Sequence, residues 1–220
     1  MMLLLNSKPH YYYSDHSSDH TWIVFSGWSL IGKSLISCLN KSNLLVVSAY
    51  DPYHLEHSVS DIFSHVKTTS FSVLGFSLGG LWLSRHLDFF SKAKELVFAG
   101  VRPRYYFQDI NLMKEALVKN PNETLTHFWK QCVIRSTFKG FYLQQNSTLF
   151  SLELLQKGLN YLAEFSFIFP EKSSRVRFLH GQLDRVAPIN ELINASDRYD
   201  IEMVKNQGHV FWPALDNLRR

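Results

Sequence analysis

Six short runs rich in β-branched and aromatic residues punctuate the chain, at residues 21–26 (TWIVFS), 44–49 (LLVVSA), 71–74 (FSVL), 96–99 (LVFA), 176–179 (VRFL) and 201–204 (IEMV). Their length and side-chain types predict strands. Helix-length segments such as 33–39 and 80–90 lie between the early runs, and alternation of this kind predicts βαβ units around a largely parallel sheet, an α/β fold. One interval breaks the rhythm. Residues 102–171 separate two strands by far more than an ordinary crossover. Inside it apolar positions recur at helical spacing over 112–118, 125–134 and 149–165, with Asn120-Pro121-Asn122 as a turn and cap. The expected organisation is a core of residues 1–101 and 172–220 with a helical cap, residues 102–171, inserted over one edge of the sheet. The first thirteen residues, LLL at 3–5 and YYY at 11–13, suggest a short hairpin on that sheet.

Composition narrows the class. With 45% hydrophobic, 15% aromatic and 19% charged residues in 220, the chain buries a sizeable core and is not disordered. No apolar run reaches the roughly 20 residues of a membrane-spanning helix, and the opening residues lack a basic-then-apolar signal, so a cytoplasmic location without a membrane partner is expected. Cys38 and Cys132 form no ligand spacing. The net charge of +4 is local. Arg102, Arg104, Lys114, Lys119, Lys130, Arg135 and Lys139 face only Asp109, Glu115 and Glu123 in residues 101–140, which accounts for the whole surplus. A discrete basic region suits an acidic protein as well as phosphate, and neither an RNA-recognition signature nor a zinc-finger spacing is present, so no nucleic acid is expected.

The chemistry concentrates after the third predicted strand, where Gly75-Phe76-Ser77-Leu78-Gly79-Gly80 forms a GxSxG on a strand-to-helix turn. A serine on such an elbow exposes its hydroxyl above the sheet, and the flanking glycines remove Cβ atoms that would collide. A base and an orienting acid should follow in the order acid, then histidine. Asp184, in HGQLD just past the run 176–179, and His209, in NQGH just past 201–204, fit those roles, with Asp197 and Asp200 as fallback acids. Backbone N–H groups of Leu78, after the serine, and of Trp28, after the first strand, would make the oxyanion hole. The Trp28 ring would line the acyl pocket.

These motifs in order, SGWS, GFSLGG, HGxxD and GH, resemble the α/β-hydrolase superfamily and, within it, the pimeloyl-[acyl-carrier protein] methyl ester esterase family of biotin synthesis. An LLxxGLxxL pattern at residues 154–162 is similar to that family's cap, and the resemblance spans about residues 21–212. It implies Ser77 as nucleophile, Asp184 and His209 completing the triad, Trp28 and Leu78 at the oxyanion and substrate site, and no cofactor or metal. It also implies acyl carrier protein as a partner, held by cap cations drawn from Arg102, Arg104, Lys130, Arg135 and Lys139. Two departures are visible: Ser26 stands where the family has a histidine, and the segment ahead of the first motif is short.

Other readings compete. A general short-acyl esterase or a carbon–carbon hydrolase would carry the same motifs. Residues 27–34 (GWSLIGKS) satisfy the phosphate-loop pattern GxxxxGK[ST], although Trp28, Leu30 and Ile31 are bulky for close backbone approach to phosphates. The pairs His16/His20 and His54/His57 could each offer two metal ligands but lack a third. A non-catalytic relative of the same fold would need a broken triad, and none is visible.

Overall fold

The computed structural model describes residues 8–31, 42–134, 147–195 and 198–211. The chain forms a seven-stranded sheet of β1 (His10–Ser14), β2 (His20–Phe25), β3 (Asn43–Ser48), β4 (Ser70–Phe76), β5 (Leu96–Ala99), β6 (Val176–Gly181) and β7 (Ile201–Val204). The strands lie in the order β1-β3-β2-β4-β5-β6-β7. All adjacent pairs are parallel except β1 with β3, where Tyr12 faces Val46. Central strands carry apolar runs that point to both faces of the sheet, because helices and loops cover both. In β2, Ile23, Val24 and Phe25 are completely buried, as are Leu44 to Val47 in β3. The edge strands β1 and β7 are only partly covered.

Six α-helices are described. They are α1 (Val59–Ser64), α2 (Leu78–Arg85), α3 (Phe107–Lys119), α4 (Pro121–Cys132), α5 (Leu152–Glu164) and α6 (Ile189–Ala195). Helices α3, α4 and α5 come between β5 and β6. Their starts follow from local chemistry. The Asn120 side chain accepts the Glu123 N–H while Pro121 supplies the first helical residue of α4, and Ser151 accepts the Leu154 N–H at the head of α5.

Tyr11 to Tyr13 pair with β3 in antiparallel fashion, while residues 3–5 of the expected hairpin lie outside the described residues, as does 33–39. One expectation changes. The segment 80–90 is not one helix: α2 stops at Arg85 and a separate 3-10 turn covers Leu87–Phe90.

Candidate active site

Ser77 occupies the single residue between the end of β4 and the start of α2, at φ 52° and ψ −115°. A side chain in that region is strained by about 1–3 kcal/mol, so its surroundings have to hold it there. Its N–H donates to the Ala99 carbonyl at 2.9 Å and its carbonyl accepts the Leu81 N–H at 3.0 Å. The glycines are steric requirements. A Cβ on Gly79 would overlap the Phe25 carbonyl, and one on Gly75 would lie 2.7 Å from the Gly80 Cα. The motif spacing thus allows α2 to leave the sheet at once, with the Leu78 N–H lacking an intrahelical acceptor.

Asp184 follows β6 and His209 follows β7, so parallel pairing of the two strands brings both to one end of the sheet. Asp184 Oδ1 accepts the N–H groups of Val186 and Ala187, both at 2.8 Å, which fixes the carboxylate and leaves Oδ2 for His209 Nδ1 at 2.7 Å. A carboxylate only accepts, so Nδ1 carries the proton and Nε2 presents a lone pair. That Nε2 is buried and has no hydrogen-bond partner among the described residues. The ring packs on Phe76, the neighbour of Ser77, at 4.8 Å between centroids. The left-handed residue of the histidine loop is Asn206, at φ 58°, and not Gly208. Gly208 is needed for another reason. Its carbonyl fills the space a Cβ on Gly181 would take, and its own Cβ would press on the Cys132 carbonyl. Val210 N–H donates to that same carbonyl at 2.7 Å, tying the loop to the end of α4.

Ser77 opens into a cavity of about 220 Å3 with Ile110, Met113, Phe128, Leu159 and Leu162 as apolar walls. Trp28 lines it too, and its Nε1 donates to the Leu155 carbonyl of α5 at 2.8 Å. A smaller cavity adjoins Gly27, Trp28 and Leu78. Sequence reasoning passed over two residues here. His180, the histidine of HGQLD, is buried; its Nε2 donates to the Ala187 carbonyl at 2.5 Å and lies 3.4 Å from Asp184 Oδ2. Burial holds its imidazole below the usual histidine range, although Asp184 pulls the other way. Tyr105 lines the main cavity. Burial pushes its phenol up to about 12, against opposing pulls from the Ser77 hydroxyl and Arg102. Their only sequence signal is position, His180 at the end of β6 and Tyr105 in the stretch that follows β5.

The expected carrier-binding cations separate. Arg102 is 9% exposed and forms a two-pronged pair with Glu191, Nε to Oε2 and Nη2 to Oε1 at 2.8 Å each. Arg104 and Lys130 are exposed, while Arg135 and Lys139 lie outside the described residues. Arg185, next to the site acid, is exposed at the cavity.

Of the phosphate-loop run, residues 27–31 are described, with Trp28, Leu30 and Ile31 buried, so this stretch offers packed side chains rather than an open cradle. His20 Nδ1 meets Ser70 Oγ at 2.7 Å and His54 Nδ1 meets Asp51 Oδ2 at 3.2 Å. Among the described residues no three His, Cys, Asp or Glu side chains gather as a metal site would need, and no helix is long and apolar enough to cross a membrane.

No family model and no curated protein matches this chain. Solved structures do. An esterase from Exiguobacterium antarcticum is similar at a TM-score of 0.72 and 15% identity, over 91% of this chain and 89% of that one. A bromoperoxidase from Bacillus anthracis is similar at 0.70 and 16%, with the same coverage. BioG from Haemophilus influenzae is similar at 0.67 and 12%, over 94% of this chain and 96% of that one. With its mostly parallel sheet, a serine elbow after β4 and an acid and a histidine after β6 and β7, this chain has the α/β-hydrolase fold.

Proposed function

We propose that this protein is a serine carboxylesterase acting through an acyl-enzyme, and that its substrate is the methyl ester of a pimeloyl chain on acyl carrier protein. The observation that carries the first part is the proton path: Asp184 fixes the His209 tautomer at 2.7 Å, and the bare Nε2 is buried beside the elbow that presents Ser77. In this reading His209 takes the Ser77 proton as Oγ attacks the ester carbonyl. The N–H groups of Leu78 and Trp28 receive the oxyanion, and the imidazolium returns its proton to the departing alcohol. Water repeats the sequence and frees the acid.

The substrate rests on less. The apolar cavity suits an aliphatic acyl chain, exposed Arg104 and Lys130 suit an acidic carrier, and the motifs resemble the biotin-pathway family. Hydrolysis of methyl pimeloyl-carrier protein and of dimethyl pimelate, by wild type and Ser77→Ala, tests both parts. Serine-dependent turnover that favours the carrier substrate is expected. Turnover of the free ester alone would leave a general short-acyl esterase, and turnover surviving Ser77→Ala would remove the mechanism.

A further inference from the structure

A buried phenol normally finds a hydrogen-bond partner, because leaving one unmet costs the full desolvation of the group. Tyr105 is 8% exposed, and its buried hydroxyl makes no hydrogen bond of good geometry among the described residues, although the Ser77 hydroxyl is close enough to act on it. It shares the wall of the main cavity with Ser77. His209 Nε2 is in the same condition, so the nucleophile sits with an unmet donor and an unmet acceptor nearby.

Strand order says which side of the nucleophile Tyr105 serves. Ser77 ends β4; the oxyanion loop with Trp28 follows β2 on one side, while Tyr105 follows β5, Asp184 follows β6 and His209 follows β7 on the other. Tyr105 therefore belongs to the side where protons are handled. Its ring is held there. The Arg102 guanidinium lies 4.9 Å from the ring centroid, and Arg102 is itself gripped by Glu191.

We propose that Tyr105 is a catalytic residue whose phenolic O–H donates a hydrogen bond to the alkoxy oxygen of the ester as that oxygen leaves the tetrahedral adduct on Ser77. The inference rests on the serine-esterase reading above. In the step, the carbon–oxygen bond to the alcohol breaks, the electron pair stays on the alkoxy oxygen, and the proton that His209 took from Ser77 is delivered to it. Tyr105 keeps its own proton throughout and lowers the charge developing on the oxygen before that proton arrives. Burial favours the protonated phenol, so the donor is present at neutral pH.

The test compares methyl and para-nitrophenyl esters of hexanoic acid with wild type and Tyr105→Phe. Methoxide is a basic leaving group and needs the donor; para-nitrophenolate does not. Removing a positioned donor of this kind costs on the order of 100-fold, so kcat/KM for the methyl ester should fall by about that factor and that for the para-nitrophenyl ester by less than about 3-fold. The variant should melt close to wild type, since the hydroxyl it deletes makes no hydrogen bond of good geometry among the described residues. Equal losses on both esters, or no loss on the methyl ester, would overturn the proposal. Tyr105→Met, which also lacks the donor, carries the same expectation if the Phe variant is not recovered. Wild type that hydrolyses neither ester would overturn the esterase reading itself, a different failure.

Discussion

The indole N–H of Trp28 donates to the carbonyl of Leu155 at 2.8 Å, a bond between the loop after β2 and helix α5 that spans 127 residues of chain. Trp129 of α4 reaches the other way, its Nε1 donating to the Ser29 carbonyl at 3.1 Å. Trp28→Phe removes one of these ties and part of a buried ring, and should cost about 1–3 kcal/mol. Thermal unfolding checks this, with a drop of about 2–4 °C expected for each kcal/mol in a chain of this size. An unchanged melting temperature would mean that the loop does not depend on the cap.

Gly158, the glycine of LLxxGLxxL, faces that same indole: a Cβ there would stand 2.6 Å from Trp28 Cδ1. Gly158→Ala gains about 1 kcal/mol of helix propensity and loses about 1–3 kcal/mol to overpacking, so stability should fall by no more than about 2 kcal/mol. On the proposed serine-esterase reading, turnover should fall by about tenfold or more, because displacing Trp28 would move the proposed oxyanion donor, and small misplacements are costly in rate. Steady-state kinetics beside a melting curve separates the two effects.

Asp184→Asn should be worse than its size suggests. The Val186 and Ala187 amides need an acceptor, so the asparagine oxygen stays with them and its NH2 turns toward His209. Nδ1 then has to accept, Nε2 carries the proton, and the base is lost. A fall in kcat of about 10,000-fold with the fold retained is expected, as for the wrong tautomer in serine hydrolases generally. A loss below about tenfold would show that another acid does this work.

Acid sensitivity should have a contribution from His180. Its pKa is depressed in the folded protein by burial, while the unfolded chain takes up a proton near about pH 6.5. Below that value the unfolded state binds more protons, so stability declines as pH falls toward the folded pKa and is unaffected above the unfolded one. Denaturant unfolding from about pH 8 to about pH 5 should show this slope in wild type and a shallower one in His180→Gln. Identical slopes would assign the acid sensitivity elsewhere.

The parts legible in the sequence were those governed by short-range rules. All six apolar runs overlap strands of the sheet, and the Asn120-Pro121 cap could be read because a side-chain acceptor beside a proline is a local signal. The bond between Asp184 and His209, at the end of the sheet where β4 also delivers Ser77, could be anticipated because parallel strands deliver their carboxyl ends to one edge. The surroundings of Arg102 were hidden for the opposite reason. Nothing within a few residues reveals that Glu191, 89 positions away, neutralises it. Tyr105 and His180 were silent for a related cause, since an unmet hydroxyl or a second histidine on a carboxylate exists only once distant segments pack. Short α1 and α6 escaped notice because one or two turns hold too few positions for a period to show.

The bond from Val210 N–H to the Cys132 carbonyl has a consequence for the order in which the molecule is made. Strands β1 to β5 and the serine elbow are complete by residue 99, and a growing chain can pair them early. His209 emerges long after Ser77 and is braced by a helix synthesised some eighty residues before it. On the proposed reading, nucleophile and base are thus assembled at different times, and a nascent chain carries Ser77 without its base until β7 has docked. Competence for the proposed reaction would then be acquired in one step rather than gradually.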